Sequence, residues 1–317
     1  MKTWIDFEQA SVFAIPMVDE VDGLRECQGM LIEGPQGWGE FSPPRGCDDQ
    51  QAARWLTAAI EAGTVGWPDP LRGRVPVAVT VPEVGPERAR QIVADAGCRT
   101  AAVRIGGRPD SAADDIARLE AVRDTLGPGG DIRCTTGTGW DPVATAAAMP
   151  ALERAARGLE FIQVPGGTSD ENSTRRTTFD IPFAVEVSHP EQAGGADIAV
   201  LNVSALGGVR RAMRVAEVCG LPCVATVGLA SSVGIAAGLA LAGILPNIGF
   251  AGELATARLL TGDVVSPGRR LIPVDGYLPV APMPAAPDAQ GLEHCATTDP
   301  DTVAWWRERL RNVQRHI

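Results

Sequence analysis

From residue 76 onward, short β-rich runs alternate with stretches whose apolar residues recur every three to four positions. The runs at 76–81, 99–105, 131–136, 159–164, 181–187, 197–203, 221–226 and 247–251 read as strands. The intervals at 85–97, 111–126, 142–157, 207–219, 232–244 and 253–261 read as helices. In 111–126, Ala112, Ile116, Leu119, Val122 and Leu126 recur at helical spacing, with Ser111 placed as the N-cap. A strand every 15–30 residues is the spacing that βα units need. Eight such strands make a closed β/α barrel the leading expectation and an open doubly wound sheet the alternative.

The first 70 residues read differently. Residues 3–15 and 27–40 look like strands of a hairpin or meander, and 48–62 looks like a helix with Trp55, Leu56 and Ile60 on one face. A Gly/Pro-rich linker at 63–74 separates this α+β unit from the alternating region. The tail is rich in proline and alanine from about 275 and ends in a short amphipathic helix at 301–314, expected to pack back on the first unit. The division expected is an α+β capping domain, residues 1–72 completed by 278–317, and a β/α barrel at 73–277.

Charge and side-chain chemistry exclude whole classes. The formal net charge is −11, and of 28 basic residues only Lys2 is a lysine. With Lys2 at a terminus expected to be mobile, Schiff-base and lysine-base chemistry have almost no candidate. An acidic chain without a basic run is a poor binder of nucleic acid or acidic membranes. The longest apolar stretch, Val227 to Leu245, is broken by glycines and serines, so a buried loop and helix are expected rather than a span. Seven scattered cysteines without a C-x-x-C pair indicate neither a disulfide framework nor a zinc site, and point to the cytoplasm.

Seven stretches, in order, carry a resemblance: GWGEFSP at 37–43, VRDTLGPGGDIR at 122–133, GWD at 139–141, ADIAVLNVSALGGVRRA at 196–212, SSVGIAAGLALAGILP at 231–246, ELATARLLTGDVV at 253–265 and VDGYLPV at 274–280. Together they resemble the o-succinylbenzoate synthase branch of the enolase superfamily in its actinobacterial form. The resemblance implies an enolase-like modified TIM barrel, (β/α)7β, under an α+β capping domain. It also implies proton abstraction beside a carboxylate and loss of water, with Mg²⁺ on three acidic side chains and lysines as acid and base.

This sequence departs from that pattern at most of those positions. The family's lysine pair falls on Ala102 and Arg104, and its sixth-strand lysine on Asn202. The three metal carboxylates fall on Thr135, Gln163 and Glu186, with the asparagine near the first at Gly137. One carboxylate and a neutral amide do not offset the dehydration of Mg²⁺, so no metal or other cofactor is expected. Arg104 stays protonated and is a poor base. Where family members often carry an arginine-rich capping loop, this chain has Asp19, Glu20 and Asp22, which are expected to repel a dicarboxylate.

The candidate catalytic residues are Glu186, Arg104, Gln163 and Asn202. Glu186 is read as a base or hydrogen-bond acceptor, or as a relic. Arg104 is an anion or carbonyl binder, or the partner of Glu186 in an ion pair. Gln163, Asn202 and Thr135 are hydrogen-bond donors to a polarised carbonyl, or groups that satisfy one another. The candidate substrate-binding residues are Thr135, Glu253, His189, Ser231, Asp19 and Glu20. Glu253 could equally cap a helix, and His189 could equally be a solvated loop residue. Ser231 lies in a turn whose amides could hold an anion.

Three functions follow. The first is a metal-independent enzyme performing cyclisation, isomerisation or elimination on a small molecule in specialised metabolism. The second is a non-catalytic binder of a ligand or protein, and the third is residual o-succinylbenzoate synthase activity. The partner expected is a small molecule other than a dicarboxylate, with a homo-oligomer left open.

Overall fold

The structure, a computed structural model, describes residues 5–137, 139–166, 168–178 and 180–317. Lys2 lies outside the described residues.

The N-terminal part is a three-stranded antiparallel meander, β1 (Ser11–Val21), β2 (Leu24–Glu33) and β3 (Trp38–Phe41), with α1 (Asp49–Thr64) laid across it. The β1–β2 turn consists of Asp22 and Gly23 at φ of 50° and 80°. Two consecutive positive φ values match the right-handed twist of a hairpin, and Asp-Gly tolerates them. Asp48 caps α1 reciprocally with Gln51. Gly39 is required where β3 crosses α1, because a Cβ there would lie 2.0 Å from the Ala59 carbonyl oxygen.

After β4 (Arg74–Pro76), seven parallel strands form one curled sheet. They are β5 (Ala78–Val81), β6 (Thr100–Ile105), β7 (Asp131–Thr136), β8 (Phe161–Val164), β9 (Phe183–Glu186), β10 (Ile198–Asn202) and β11 (Cys223–Thr226). Spatial order follows chain order, so each crossover returns to a neighbouring strand. The connecting helices are α2 (Pro86–Ala96), α3 (Ala112–Leu126), α4 (Pro142–Ala156), α5 (Ser169–Thr178), α6 (Val203–Leu206), α7 (Val209–Cys219) and α8 (Ser232–Ile244). Their apolar faces and the outward strand residues make the largest core cluster, which includes Val79, Val103, Ile132, Ile162, Val185 and Leu201.

The run expected as an eighth strand at 247–251 does not form one. The pairing comes slightly later: Gly252 bridges Val77 and Glu253 bridges Thr226, each in parallel sense. One short segment therefore touches both edges of the sheet. The helix expected at 253–261 is only a 3₁₀ turn, Thr256–Leu259. The expected helix 207–219 forms as α7 from Val209, and Gly207 and Gly208, with φ of 92° and 115°, separate it from the short α6 that follows β10 directly. Helix α5 carries no apolar period in SDENSTRRTT and was not expected. Ser111 makes no capping bond; its hydroxyl reaches the buried Asp115 carboxylate at 2.8 Å, which pairs with Arg118 at 2.6 Å.

The tail contains β12 (Tyr277–Pro279) on β4, then α9 (Ala289–Cys295) and α10 (Pro300–Val313). Trp306, Leu310 and Val313 of α10 share a core cluster with Leu56 of α1 and Phe41 of β3. The chain's last helix thus completes the hydrophobic face of its first unit. Helix α8 is apolar on every side and buried almost throughout. Among the described residues no helix is long and apolar enough to cross a membrane. All seven cysteines are free thiols.

Candidate functional site

Strand geometry selects the residues that meet inside the curled sheet. Alternate residues face inward, so Arg133 and Thr135 share a face, as do Phe161 and Gln163, Ala184 and Glu186, Val200 and Asn202, and Val224 and Thr226. The lower residues are mostly apolar: Phe161, Ala184, Ile198, Val200 and Val224 form one cluster. Two residues on from Phe161, Ala184, Val200 and Val224, at the C-terminal ends, the inward residues become polar. Arg104 pairs in register with Thr135, and Thr135 with Gln163. Glu186 is opposite Val200, and Asn202 is opposite Thr226, which is bridged to Glu253. The structure therefore brings Arg104, Thr135, Gln163, Glu186, Asn202 and Glu253 to one mouth.

The contacts inside this mouth are specific. Asn202 Nδ2 donates to Glu186 Oε1 at 3.2 Å, while its Oδ1 accepts from Ala205 N at 3.2 Å and caps α6. Glu186 is exposed at the strand end yet closely surrounded by protein. Desolvation pushes its carboxyl above the usual range, opposed by the Asn202 hydrogen bond; Glu253 adds to the rise and Arg104 reduces it. Gln163 Oε1 and Glu253 Oε1 are buried and accept no hydrogen bond. Thr135, Gln163 and Glu186 line a cavity of about 310 Å³. Asn202 lines a second cavity of about 740 Å³ that extends beneath the cap to Arg25, Arg45, Trp55 and Trp306. Another cavity of about 720 Å³, between α8 and residues 266–288, lies away from these strand ends.

Arg104 does not pair with Glu186. Its guanidinium reaches Asp22 of the β1–β2 turn, Nη2 to Oδ2 at 3.3 Å, and ties the cap to the mouth. The acidic cap loop differs from expectation in a related way. Asp19 is held by Arg88 of α2 at 2.8 Å and Glu20 by Arg25 at 2.8 Å. All three loop acids face an arginine, so the loop lacks the uncompensated charge on which repulsion of a dicarboxylate rested. Asp19 and Glu20 are occupied by these pairs rather than placed in the 310 Å³ cavity.

Ser231 and His189 stand apart from the cluster. Ser231 is fully buried; its Oγ donates to Glu40 Oε2 and caps α8 at Val233 N. His189 is exposed in a loop and lies 3.8 Å from Glu191.

Two residues not singled out from sequence matter to the site. Glu40, inside GWGEFSP, is buried and accepts from the Ser42 hydroxyl at 2.8 Å, Ser231 N at 3.2 Å and Gly234 N at 3.1 Å. Burial pushes its carboxyl up to about 7 despite these donors. A Cβ on Gly234 would lie 3.0 Å from Glu40, so the absent side chain lets that amide approach. Glu40 thus couples cap strand β3 to the positive end of α8. Arg133 is fully buried beneath the mouth, stacks 4.6 Å over Phe161, and lies 2.8 Å from Glu160 and 3.8 Å from Glu253. Its position two residues before Thr135 was the available signal, since that spacing puts both on one face.

The residues present do not fit Mg²⁺. Thr135, Gln163 and Glu186 offer one carboxylate, already engaged by Asn202, and the second at the mouth, Glu253, does not line their cavity and lies beside Arg133, where the ion needs several hard oxygens to replace its water. Among the described residues no group of three or more His, Cys, Asp or Glu side chains is placed to hold a metal ion.

Residues 12–63 match the family described as Enolase N-terminal domain-like, and 86–292 match Enolase C-terminal domain-like. The chain is 42% identical over 301 residues to o-succinylbenzoate synthase of Thermobifida fusca, covering 92% of each chain. It is 38% identical over 315 residues to the enzyme of that name from Mycolicibacterium smegmatis, covering 96% of this chain and 94% of the relative. Its fold resembles 2-chloromuconate cycloisomerase from Rhodococcus opacus with a TM-score of 0.76 at 19% identity, over 93% of this chain and 99% of that one. The cap, the curled parallel sheet and these full-length relatives agree: the chain belongs to the enolase superfamily, among relatives named o-succinylbenzoate synthase.

Proposed function

We propose that this chain is a metal-independent enzyme that acts on a small organic molecule at the strand-end mouth, by cyclisation, isomerisation or elimination. The observation that carries the reading is the donor set at Thr135, Gln163 and Glu186. It is too poor in charge for Mg²⁺, yet it is polar and lines an open cavity of about 310 Å³ rather than being filled by apolar side chains. The reading treats the curled sheet as a (β/α)7β barrel whose eighth strand is the segment bridging through Gly252 and Glu253, with residues 1–72 and 278–317 as its cap.

The chemistry follows from the groups present. Glu186, raised by desolvation, takes a proton from the ligand and returns it, as a carboxyl moved towards neutrality can. Thr135 and Asn202 donate hydrogen bonds to charge that develops on the ligand, and Arg104 supplies fixed positive charge at the rim. The cap, tied down through Asp22, holds the ligand against the mouth and limits water.

The test is a magnesium titration by calorimetry together with an assay for o-succinylbenzoate formation. The expected result is no stoichiometric Mg²⁺ binding and no product. Stoichiometric Mg²⁺ uptake that disappears in Glu186→Gln, accompanied by product, overturns the reading. The Asn202–Glu186 hydrogen bond favours a second reading, a non-catalytic binder, because it satisfies two polar groups without a ligand. Turnover of any substrate dismisses that alternative.

A further inference from the structure

The mouth holds open acceptors, whereas its buried unpartnered donors, Arg104 Nε and Arg133 Nε and Nη2, belong to arginines that already lie beside an acid. Two of its buried oxygens, Gln163 Oε1 and Glu253 Oε1, accept no hydrogen bond within the protein. Gln163 and Glu253 are each only 9% exposed, so bulk water reaches them poorly. A buried acceptor left open costs free energy, which a ligand donor would recover. Gln163 is neutral, so its vacancy is separate from any clustering of acids. It lines the same 310 Å³ cavity as Glu186, whose carboxylate accepts a hydrogen bond from Asn202.

The charges lean the same way. Arg104 faces Asp22, and Arg133 lies closer to Glu160, at 2.8 Å, than to Glu253, at 3.8 Å. Each arginine at the mouth therefore has an acid of its own, and Glu186 and Glu253 remain in excess. Their proximity registers in the Glu186 carboxyl, which the Glu253 charge helps to raise. None of the cap arginines lines the 310 Å³ cavity, although Arg45 and Arg54 have neutral hydrogen-bond partners and keep their charge. Arg25 is bound to Glu20, Arg45 to Gln28 and the face of Trp305, and Arg54 to the Ser188 carbonyl.

We propose that the mouth takes a small organic cation, a ligand with a primary ammonium or amidinium group, bound to Glu186 and Gln163 in the 310 Å³ cavity and drawn in by Glu253. An ammonium offers three donors and no acceptor, the complement of the Glu186 carboxylate and the Gln163 amide oxygen that line the cavity. One positive charge with directional N–H groups suits this set where a hydrated dication does not. The inference rests on the mouth being a small-molecule site, and it names the class of molecule.

Propylammonium, with propionate as the matched anion, is the probe. Each is titrated into the full chain at constant ionic strength with chelator present, and followed by calorimetry and by the amide NMR signals of Gly166 and Ser188. The expected outcome is saturable propylammonium binding that moves both signals and weakens at least about tenfold in Glu186→Gln and in Gln163→Leu. Gln163→Glu, which adds a carboxylate at the same site, is expected to tighten propylammonium. Propylammonium that fails to bind, or binds equally well to the Glu186→Gln protein, overturns the inference. Propionate moving the same signals in its place also overturns it, while leaving the small-molecule reading intact. Magnesium-dependent product formation defeats that reading by a separate measurement.

Discussion

Asn202 holds Glu186 and caps α6 with the two ends of one amide: Nδ2 lies 3.2 Å from Glu186 Oε1, and Oδ1 lies 3.2 Å from Ala205 N. A lysine at this position could donate to Glu186 but could not accept from Ala205, so the local fold and the site depend on the same side chain. Replacing it separates the two roles. Asn202→Ala loses the cap and leaves Glu186 without its donor, and is expected to cost about 1–2 kcal/mol in urea denaturation. Asn202→Asp keeps the cap but sets a carboxylate against Glu186. It is expected to retain most of the stability while raising the Glu186 pKa further, read by carboxyl-selective NMR titration.

Arg133 lies under the mouth between Glu160 and Glu253. Arg133→Met is expected to destabilise the fold by about 3–5 kcal/mol, because it strands buried acids without their counter-charge. Adding Glu160→Gln should recover part of that loss. Equal midpoints for the single and double variants in guanidinium melts would show that the ion pair is not the cause.

The pair between Arg104 and Asp22 is half-exposed, so its contribution to stability is small. Asp22→Asn is expected to shift unfolding by less than about 1 kcal/mol. Its effect should fall on the cap instead, seen as faster amide exchange across the β1–β2 turn.

Glu40 links cap strand β3 to α8, and burial pushes its carboxyl up to about 7. Its folded pKa is raised above that of the unfolded chain, so the folded protein holds the extra proton between the two values. Stability from this group is greatest below the unfolded carboxylate range and falls as pH rises to about 7, by up to about 3 kcal/mol. Desolvation raises Glu186 and Glu160 as well, so they lean the same way. Glu40→Gln should flatten the decline between pH 5 and 7.5 in chemical denaturation. An unchanged slope would assign the effect to other groups.

Much of the architecture is legible in one dimension because a strand that packs on helices must be apolar and a helix must show a repeating face. Val103, Ile132, Ile162 and Val185 mark their strands in this way, and α8 falls where its apolar run predicts. Helix α5 escaped because its polar sequence has no apolar face to repeat. The eighth pairing was misplaced because two bridging residues, Gly252 and Glu253, are too few to make a period.

The site divides along similar lines. Period-two alternation and the order of the strands suffice to send Arg104, Thr135, Gln163, Glu186 and Asn202 inward at successive strand ends, since side-chain direction is a local property. Partners are not local. Arg104 meets Asp22 across 82 positions of chain, and Glu40 meets Ser231 across 191. Sequence alone determined that Lys2 is the one lysine and that the strand ends carry Arg104, Thr135, Gln163, Glu186 and Asn202. Only the tertiary structure decided that the acidic cap loop is neutralised, that Ser231 belongs to a buried joint, and that Gln163 and Glu253 are left with open acceptors. Those outcomes depend on which groups folding brings within a few ångströms, where Coulomb and hydrogen-bond energies are decided.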